Sequence, residues 1–240
     1  MDAIYTENFK NHILEIYSDD NAENPREWDN LGTMVCFHGR YCLGDKGHGF
    51  RQDDFNSWEE LKAGILKENG PCIIHPLYLY DHSGITISTS PFSCRWDSGQ
   101  VGFIFVSHAT LRKEYSVKRV SKRILALAEN CLQGEVKTFD NYITGNVYGF
   151  KVLDNEEKEI DSCWGFYGDY EDKEHGALGE ARRVAENAAD TFRNLIREKL
   201  REVEEKKKQD LADKLDAALE HQREINQSQE ETEKSVQAVQ

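Results

Sequence analysis

The sequence predicts an α+β protein, with an antiparallel sheet of about five to six strands and flanking helices followed by a long, coiled-coil-like C-terminal helix. Short aromatic and β-branched runs joined by hairpin-length loops predict the strands. Beyond Gly176, the chain to about residue 233 contains no Pro, Trp or Tyr, which favours one long helix. We therefore expect a globular domain over residues 1–172, a helical arm over 176–233 and a disordered tail over 234–240.

The first elements are predicted from spacing and composition. Ile13 and Ile16 lie three positions apart and suggest a short opening helix, which an acidic loop over residues 19–30 follows. The run Thr33–Leu43 is aromatic and β-branched and predicts a strand, with a glycine that marks a bulge.

The next helix has clear start and stop signals. Ser57 and Glu60 have the spacing of a capping box, and Gly70 ends the apolar pattern that they begin. A second helix is predicted from Val117 onwards, because apolar residues recur in steps of three and four as far as Cys131.

The middle of the chain predicts two hairpins. Leu77–Tyr80 and Ile85–Thr89 flank a four-residue loop that contains a glycine, and Val101–Val106 is a further strand. The runs "NVYGFKVL" and "EIDSCWGFYG" surround a second four-residue loop and predict two more antiparallel strands.

The long C-terminal helix carries an apolar seam that breaks in the charged run "REVEEKKKQD" and then resumes. A seam on a helix of roughly 80 Å is too long for a domain of this size to bury. We therefore expect a homo-oligomer, with a single exposed helix as the alternative. The predicted oligomerisation residues are Leu178, Ala185, Phe192, Leu195, Leu211 and Leu215.

Charge and composition limit the classes of function. The net charge is −14, and residues 1–172 alone carry −11, which argues against a general phosphate-binding surface. The chain shows neither a secretory signal nor a run of about 18 apolar residues, so we expect a cytoplasmic protein that does not enter membranes. The six cysteines are accordingly interpreted as reduced thiols.

One candidate catalytic group lies in and near "SPFSCRWDSG". Cys94, His82 and Asp97 supply a thiol, a base and an orienting carboxylate, which a nucleophilic cysteine needs. The alternative is a sheet corner, since Asp and Ser side chains cap turns through backbone amides.

A second candidate is a zinc site at "CFHGRYC". Cys36, His38, Cys42 and His48 are ligand types that zinc accepts, but their spacing matches no paired zinc motif. We therefore predict no metal site and no cofactor.

Two charged surfaces are candidates for binding. A basic ridge is predicted within Arg112–Arg123, where helical spacing makes i,i+4 neighbours of Lys118, Arg119, Lys122 and Arg123. Acidic contact regions are predicted over Asp19–Asp29 and Asp154–Glu174, and the second includes Asp154, Glu156, Glu157, Glu159, Asp169, Glu171 and Asp172.

The runs "NPREWDNLGTMVCFHGRYCLGDK", "PLYLYDHSGITISTSPFSCRWDSGQVGFIFVS" and "DSCWGFYGD" resemble a family of uncharacterised proteins associated with bacteriophages, prophages and mobile elements. The resemblance covers roughly Asn24–Asp169. Arg95 stands where the family leads us to expect a proline. No activity is attached to the family, so the resemblance implies no catalytic residue. It implies an accessory phage protein that acts in the host cytoplasm by binding host machinery.

Three hypotheses follow. The first is a non-enzymatic, acidic protein that modulates or inhibits a host or defence protein by direct contact, for example as an anti-CRISPR or anti-restriction protein. The second is a hydrolase that acts on nucleotides or nucleic acid through Cys94, His82 and Asp97 or through a metal. The third is a nucleic-acid-binding accessory protein that uses the basic ridge.

Overall fold

The computed structural model describes residues 2–237, with side chains described as far as Leu215 and at Leu219. The elements of this part of the chain are β1 (Tyr5–Phe9), β2 (His12–Ser18), β3 (Thr33–Cys36), α1 (Trp58–Asn69), β4 (Cys72–Asp81), β5 (Ile85–Ser88), β6 (Ser98–Ser107), α2 (His108–Glu114), α3 (Lys122–Ile143), β7 (Val147–Leu153), β8 (Glu159–Tyr167) and α4 (Ala177–Gln237).

The strands form two antiparallel sheets rather than one. Sheet A has the order β1–β2–β7–β8, and sheet B has the order β3–β6–β4–β5. The α+β class, the antiparallel pairing and the long C-terminal helix are confirmed. The predicted count of five to six strands is wrong, because the described residues contain eight.

The two missed strands form the N-terminal hairpin, where an opening helix was expected. Lys10 and Asn11 both have positive φ, 49° and 63°, which is the backbone of a tight hairpin turn. The strand pattern is carried by Leu14 and Ile16, which are fully buried, whereas the residues that alternate with them are only partly buried. Ile13 and Ile16 matched a helical spacing only by coincidence, since they lie on opposite faces of β2.

Sheet B lies between two helices, because β6 is apolar on both faces. Ile104 and Val106 face the cluster formed with α3, whereas Phe103 and Phe105 face the cluster formed with α1. The expected capping of α1 is confirmed: the amide of Glu60 donates to Ser57 Oγ over 3.2 Å, and Gly70 ends the helix with a φ of 70°.

The helix expected from Val117 begins later. Ser121 is its N-cap and accepts from the amide of Ile124 over 3.3 Å, so α3 starts at Lys122. Val117 and Val120 instead lie in the loop between α2 and α3. The three-and-four spacing continued across a helix boundary that the serine determines.

A buried arginine fastens the loop between β2 and β3. Arg26 makes a bidentate ion pair with Asp45, at 2.8 Å for each bond, and its third nitrogen bonds Glu135 of α3 at 2.9 Å. Glu135 also accepts from the amides of Leu31 and Gly32. These contacts attach the loop to α3 and to Asp45, which in turn accepts from the amide of Met34 in β3.

The chain divides into two compact units, residues 1–184 and 185–240. In the first unit, Ala177, Leu178 and Ala181 of α4 are buried. The predicted disordered tail lies partly within α4, which runs to Gln237, and residues 238–240 lie outside the described part of the chain. Within residues 2–237, no helix is both long enough and apolar enough to cross a bilayer.

Candidate functional site

The three residues of the candidate catalytic group do come together at one end of sheet B. Asp97 Oδ2 lies 3.5 Å from the Cys94 thiol, which donates to it, and 3.4 Å from His82 Nδ1. The carboxylate thus stands between the thiol and the imidazole. The described contacts include none between His82 and Cys94.

That order does not suit nucleophilic catalysis. The base has to accept the proton of the thiol and the carboxylate has to orient the base, but here Asp97 takes the place next to the sulfur. Ser98 donates to the carbonyl of Cys94, and the amide of Asp81 donates to the carbonyl of Asp97 over 2.8 Å. The group therefore stabilises a sheet corner, from which Trp96 projects with 96% of its surface exposed.

The candidate zinc ligands have other roles. Burial raises the pKa of the Cys36 thiol well above its ordinary value, whereas Cys42 is exposed. His38 Nδ1 faces the amides of Arg40 and Tyr41, and His48 Nδ1 faces that of Phe50. No group of three or more His, Cys, Asp or Glu side chains that could hold a metal ion occurs in the part of the chain that the structure describes.

The basic ridge is not helical as predicted. Lys118 and Arg119 lie in the loop before the Ser121 cap, so they are not i,i+4 helical neighbours of Lys122 and Arg123. All four side chains are nevertheless exposed. The segment is a cluster of solvated cations at the start of α3.

Several of the predicted acidic contact residues cap turns. Asp154 Oδ1 accepts from the amides of Glu156 and Lys158, each over 2.9 Å. Asp172 Oδ1 accepts from the amides of Glu174 and His175, and these bonds hold the pKa of Asp172 below its ordinary value. Asp169 caps the amide of Glu171.

Glu159 has a partner of its own. Its carboxylate accepts from Ser162 and pairs with Lys151 at 3.2 Å, which together lower its pKa. Of the predicted acidic contact residues, Asp154 is half-buried and the others are exposed: Glu156, Glu157, Glu159, Asp169, Glu171 and Asp172.

The predicted oligomerisation residues fall into two groups. Leu178 and Ala185 are buried, so their side chains offer little surface to a second copy. Phe192, Leu195, Leu211 and Leu215 are all exposed by half or more.

A large cavity lies elsewhere, on the outer face of sheet A. It is open, has a volume of about 780 Å³ and has walls contributed by β2, β8 and the loop after β2. We call it the aromatic pocket, after the four rings that line it: Tyr17, Trp28, Trp164 and Tyr167.

The indole of Trp164 on β8 lies flat over the neighbouring strand β7. A Cβ on Gly149 of β7 would collide with Cδ2, Cε3 and Cζ3 of the indole, which shows that the six-membered ring covers Gly149. Gly149 pairs with Tyr17 on β2, and the Trp164 and Tyr17 rings lie 5.9 Å apart. The absence of a side chain at 149 therefore lets the indole reach across β7.

A second ring pair, Trp28 and Tyr167, also lines the pocket. Trp28 meets Tyr167 edge to face, with centroids 5.2 Å apart. Tyr167 donates to the carbonyl of Glu23 over 2.5 Å, and burial together with the charges of Asp19 and Glu23 raises its pKa. The phenol thus holds the loop against β8.

Two carboxylates lie in the pocket beside these rings. Asp19 Oδ2 accepts from the amide of Gly165 and Oδ1 from the amide of Asn21, each over 3.2 Å. Glu23 Oε2 faces the indole nitrogen of Trp28 at 3.4 Å. The two predicted acidic segments therefore meet here, through Asp19 and Gly165 and through Glu23 and Tyr167.

Tyr17 is also fixed by a carboxylate. It donates to Glu15 over 2.5 Å, and this bond, burial and neighbouring negative charges raise its pKa to about 12. Lys151 Nζ lies 5.9 Å from the Tyr17 ring and pairs with Glu159. The one cation that lines the pocket among the described residues therefore already has a carboxylate partner.

Sequence reasoning identified the acidic stretches that border the pocket but missed the pocket itself. Its rings come from positions as distant as Tyr17 and Tyr167, which sheet pairing alone brings together. The available signal was Gly149, a glycine inside a strand of mainly apolar and aromatic residues, which marks a close approach by another group.

Comparisons with protein-family models, with curated proteins and with solved structures return no match for this chain.

Proposed function

We propose that the protein is a non-enzymatic binding protein that holds a partner protein against the aromatic pocket. The partner presents a basic surface, and a nucleic-acid enzyme of a host or of its defence systems is the kind of protein that does so. By occupying that surface in the host cytoplasm, the chain modulates or inhibits the partner.

The observation that carries this proposal is the composition of the pocket. Exposed Trp and Tyr rings supply the large, rigid contact area that dominates protein interfaces. Trp28 and Trp164 keep 45% and 41% of their surface exposed in the single chain, and this surface is free to be buried by a partner. The carboxylates of Asp19 and Glu23 beside them favour a cationic partner.

The hydrolase hypothesis has weaker support. Its three residues meet in an order that leaves the imidazole without the thiol proton, and His82 is mostly exposed to solvent. A nucleophile has to be activated by an adjacent base, and the described neighbour of the Cys94 thiol is the Asp97 carboxylate, which is a much weaker base than the thiolate it would have to generate.

The test compares two tryptophans. The tagged wild-type protein, Trp164→Ala and the matched control Trp96→Ala are used to retain proteins from host extracts, and each retained protein is then titrated in purified form. We expect Trp164→Ala to lose the partner and Trp96→Ala to keep it. Equal retention by all three proteins contradicts the proposal.

A third variant separates protein from nucleic acid. Replacing Lys118, Arg119, Lys122 and Arg123 with Gln removes the basic cluster and leaves the aromatic pocket intact. Partner binding that survives this change and nuclease treatment supports protein contact. Binding that disappears in both cases favours the nucleic-acid hypothesis instead.

A further inference from the structure

The outer face of the Trp164 indole is the first element of a more specific site. Its inner face is covered by Gly149, and the ring is held in position by Tyr17 beside it. A ring held flat with one face open is a stacking surface for a planar group. Guanidinium groups stack on indole faces as weakly hydrated, planar cations.

The carboxylate of Asp19 is the second element. Each of its oxygens accepts one backbone amide, from Gly165 or Asn21, so the orientation of the carboxylate is fixed before a ligand arrives. A carboxylate oxygen has a second acceptor site, so both oxygens can still accept from a ligand. Two parallel acceptors of this kind match the fork of an arginine.

Glu23 adds a second negative charge to the same wall. Among the contacts of the described residues, its carboxylate is engaged only at Oε2, by the Trp28 indole nitrogen at 3.4 Å. Lys151 does not neutralise these charges, since its amine pairs with Glu159. The pocket therefore keeps two carboxylates for a ligand, which disfavours phosphates and other anions.

We infer that the aromatic pocket recognises an arginine side chain of the partner, with the guanidinium stacked on Trp164 and bonded to Asp19. Arginine is favoured over lysine because an ammonium is a strongly hydrated point charge. It has no planar face to stack on the indole, and it does not match the two carboxylate oxygens with two parallel hydrogen bonds. This inference rests on the proposed function and names the chemical group that the pocket holds.

The experiment uses the indole N–H signals of the four tryptophans, Trp28, Trp58, Trp96 and Trp164, in nuclear magnetic resonance spectra. The probes are a short glycine peptide that carries two arginines and the same peptide with lysines in their place. Maltotriose is the third probe, because an uncharged sugar can also stack on aromatic rings. We expect the arginine peptide to shift Trp28 and Trp164 but not Trp96, and to bind about tenfold more tightly than the lysine peptide.

Charge variants complete the test. Asp19→Asn with Glu23→Gln removes two charges from the pocket, and Glu156→Gln with Glu157→Gln removes two from the exposed β7–β8 turn. Only the first pair should weaken the arginine peptide, by about tenfold or more. Equal weakening by both pairs, equal affinity for the lysine peptide, or shifts caused by maltotriose alone would each overturn the inference.

The inference and the proposed function can fail separately. A partner that depends on Trp164 but shows no arginine preference leaves the proposed function standing and removes the inference. Arginine binding without any protein partner supports the arginine site and removes the proposed function.

Discussion

The indole of Trp164 on β8 covers Gly149 on the adjacent strand β7 and thereby reaches Tyr17 on β2, the next strand of the sheet. Gly149→Ala tests this relationship, since the added methyl group would displace the ring. We expect loss of partner and arginine-peptide binding, with destabilisation of about 1–3 kcal/mol. Urea unfolding and peptide titration measure the two effects.

Gly134 provides the matched control. It lies in the middle of α3, where an added Cβ would meet no atom within 4 Å. Gly134→Ala should stabilise the protein by about 0.5–1 kcal/mol, because alanine favours helix interiors, and should leave binding unchanged. If Gly149→Ala binds as well as Gly134→Ala, Trp164 does not need its position over the glycine.

The second prediction concerns Arg26. Arg26→Met leaves Asp45 and Glu135 without their shared cation, so we expect a loss of about 3–5 kcal/mol in the free energy of unfolding. Lys46→Met, which removes an exposed pair with Glu27, should change the stability little. Comparable losses in the two variants would show that the buried network contributes little.

The third prediction is a pH dependence. Hydrogen bonds from Arg182 hold the pKa of Glu7 below its ordinary 4.5. Because the folded-state pKa is lowered, the pair stabilises the protein above pH 4.5, and this contribution disappears as the pH falls through the folded-state value. Glu7→Gln should therefore reduce stability at neutral pH but not at low pH.

Urea unfolding at both pH values checks this expectation. Glu202→Gln is the control, since Glu202 pairs with Lys199 on an exposed stretch of α4. It should have no effect at either pH. A deficit in Glu7→Gln that persists at low pH would assign the loss to packing rather than to charge.

The fourth prediction concerns chemistry at the sheet corner. Cys94→Ser and His82→Gln should behave as the wild type in nucleotide and nucleic-acid hydrolysis assays, because Asp97 separates the imidazole from the thiol. Both variants should also keep the partner. Hydrolysis by the wild type that Cys94→Ser abolishes would reinstate the enzyme hypothesis.

The fifth prediction concerns self-association through α4. Leu211 and Leu215 are 69% and 60% exposed, and Phe192 and Leu195 are similarly uncovered. We expect a concentration-dependent oligomer in sedimentation experiments. Leu211→Asp with Leu215→Asp should dissociate it, because an interface that buries unpaired charges is strongly disfavoured.

Lys207→Ala with Lys208→Ala is the control on the same helix, and it should remain associated. A wild type that sediments as a monomer at every concentration would support the single exposed helix instead. The interface should also be short. Phe192 and Leu219 are separated by roughly seven and a half helical turns, which places them on opposite sides of a straight helix.

Local signals in the sequence predicted those elements that local chemistry determines. Ser57 and Gly70 bounded α1 correctly, and the loop over residues 81–84 correctly indicated the β4–β5 hairpin. The β1–β2 hairpin was missed because its turn, Lys10 and Asn11, carries no glycine. The start of α3 was misplaced because apolar spacing continued through Ser121.

The candidate site was only partly predictable, because its residues are far apart in the sequence. Composition identified both acidic segments, but their meeting depends on β2 pairing with β7 and β7 with β8. No spacing rule connects Asp19 with Gly165 or Trp28 with Tyr167 before those pairings are known. Grouping Cys94, His82 and Asp97 was correct as a neighbourhood and did not reveal which atom faces which.

The hydrogen bonds of the Arg26 guanidinium to Asp45 and Glu135 have a consequence beyond stability. Trp28 follows Arg26 by two residues, so the loop that supplies one wall of the pocket is already immobilised by Asp45 and Glu135. A partner then loses little conformational entropy on docking, since the wall does not have to be frozen at that moment. Substitutions at Glu135, on a helix that does not line the pocket, should consequently slow recognition and shorten the lifetime of the complex.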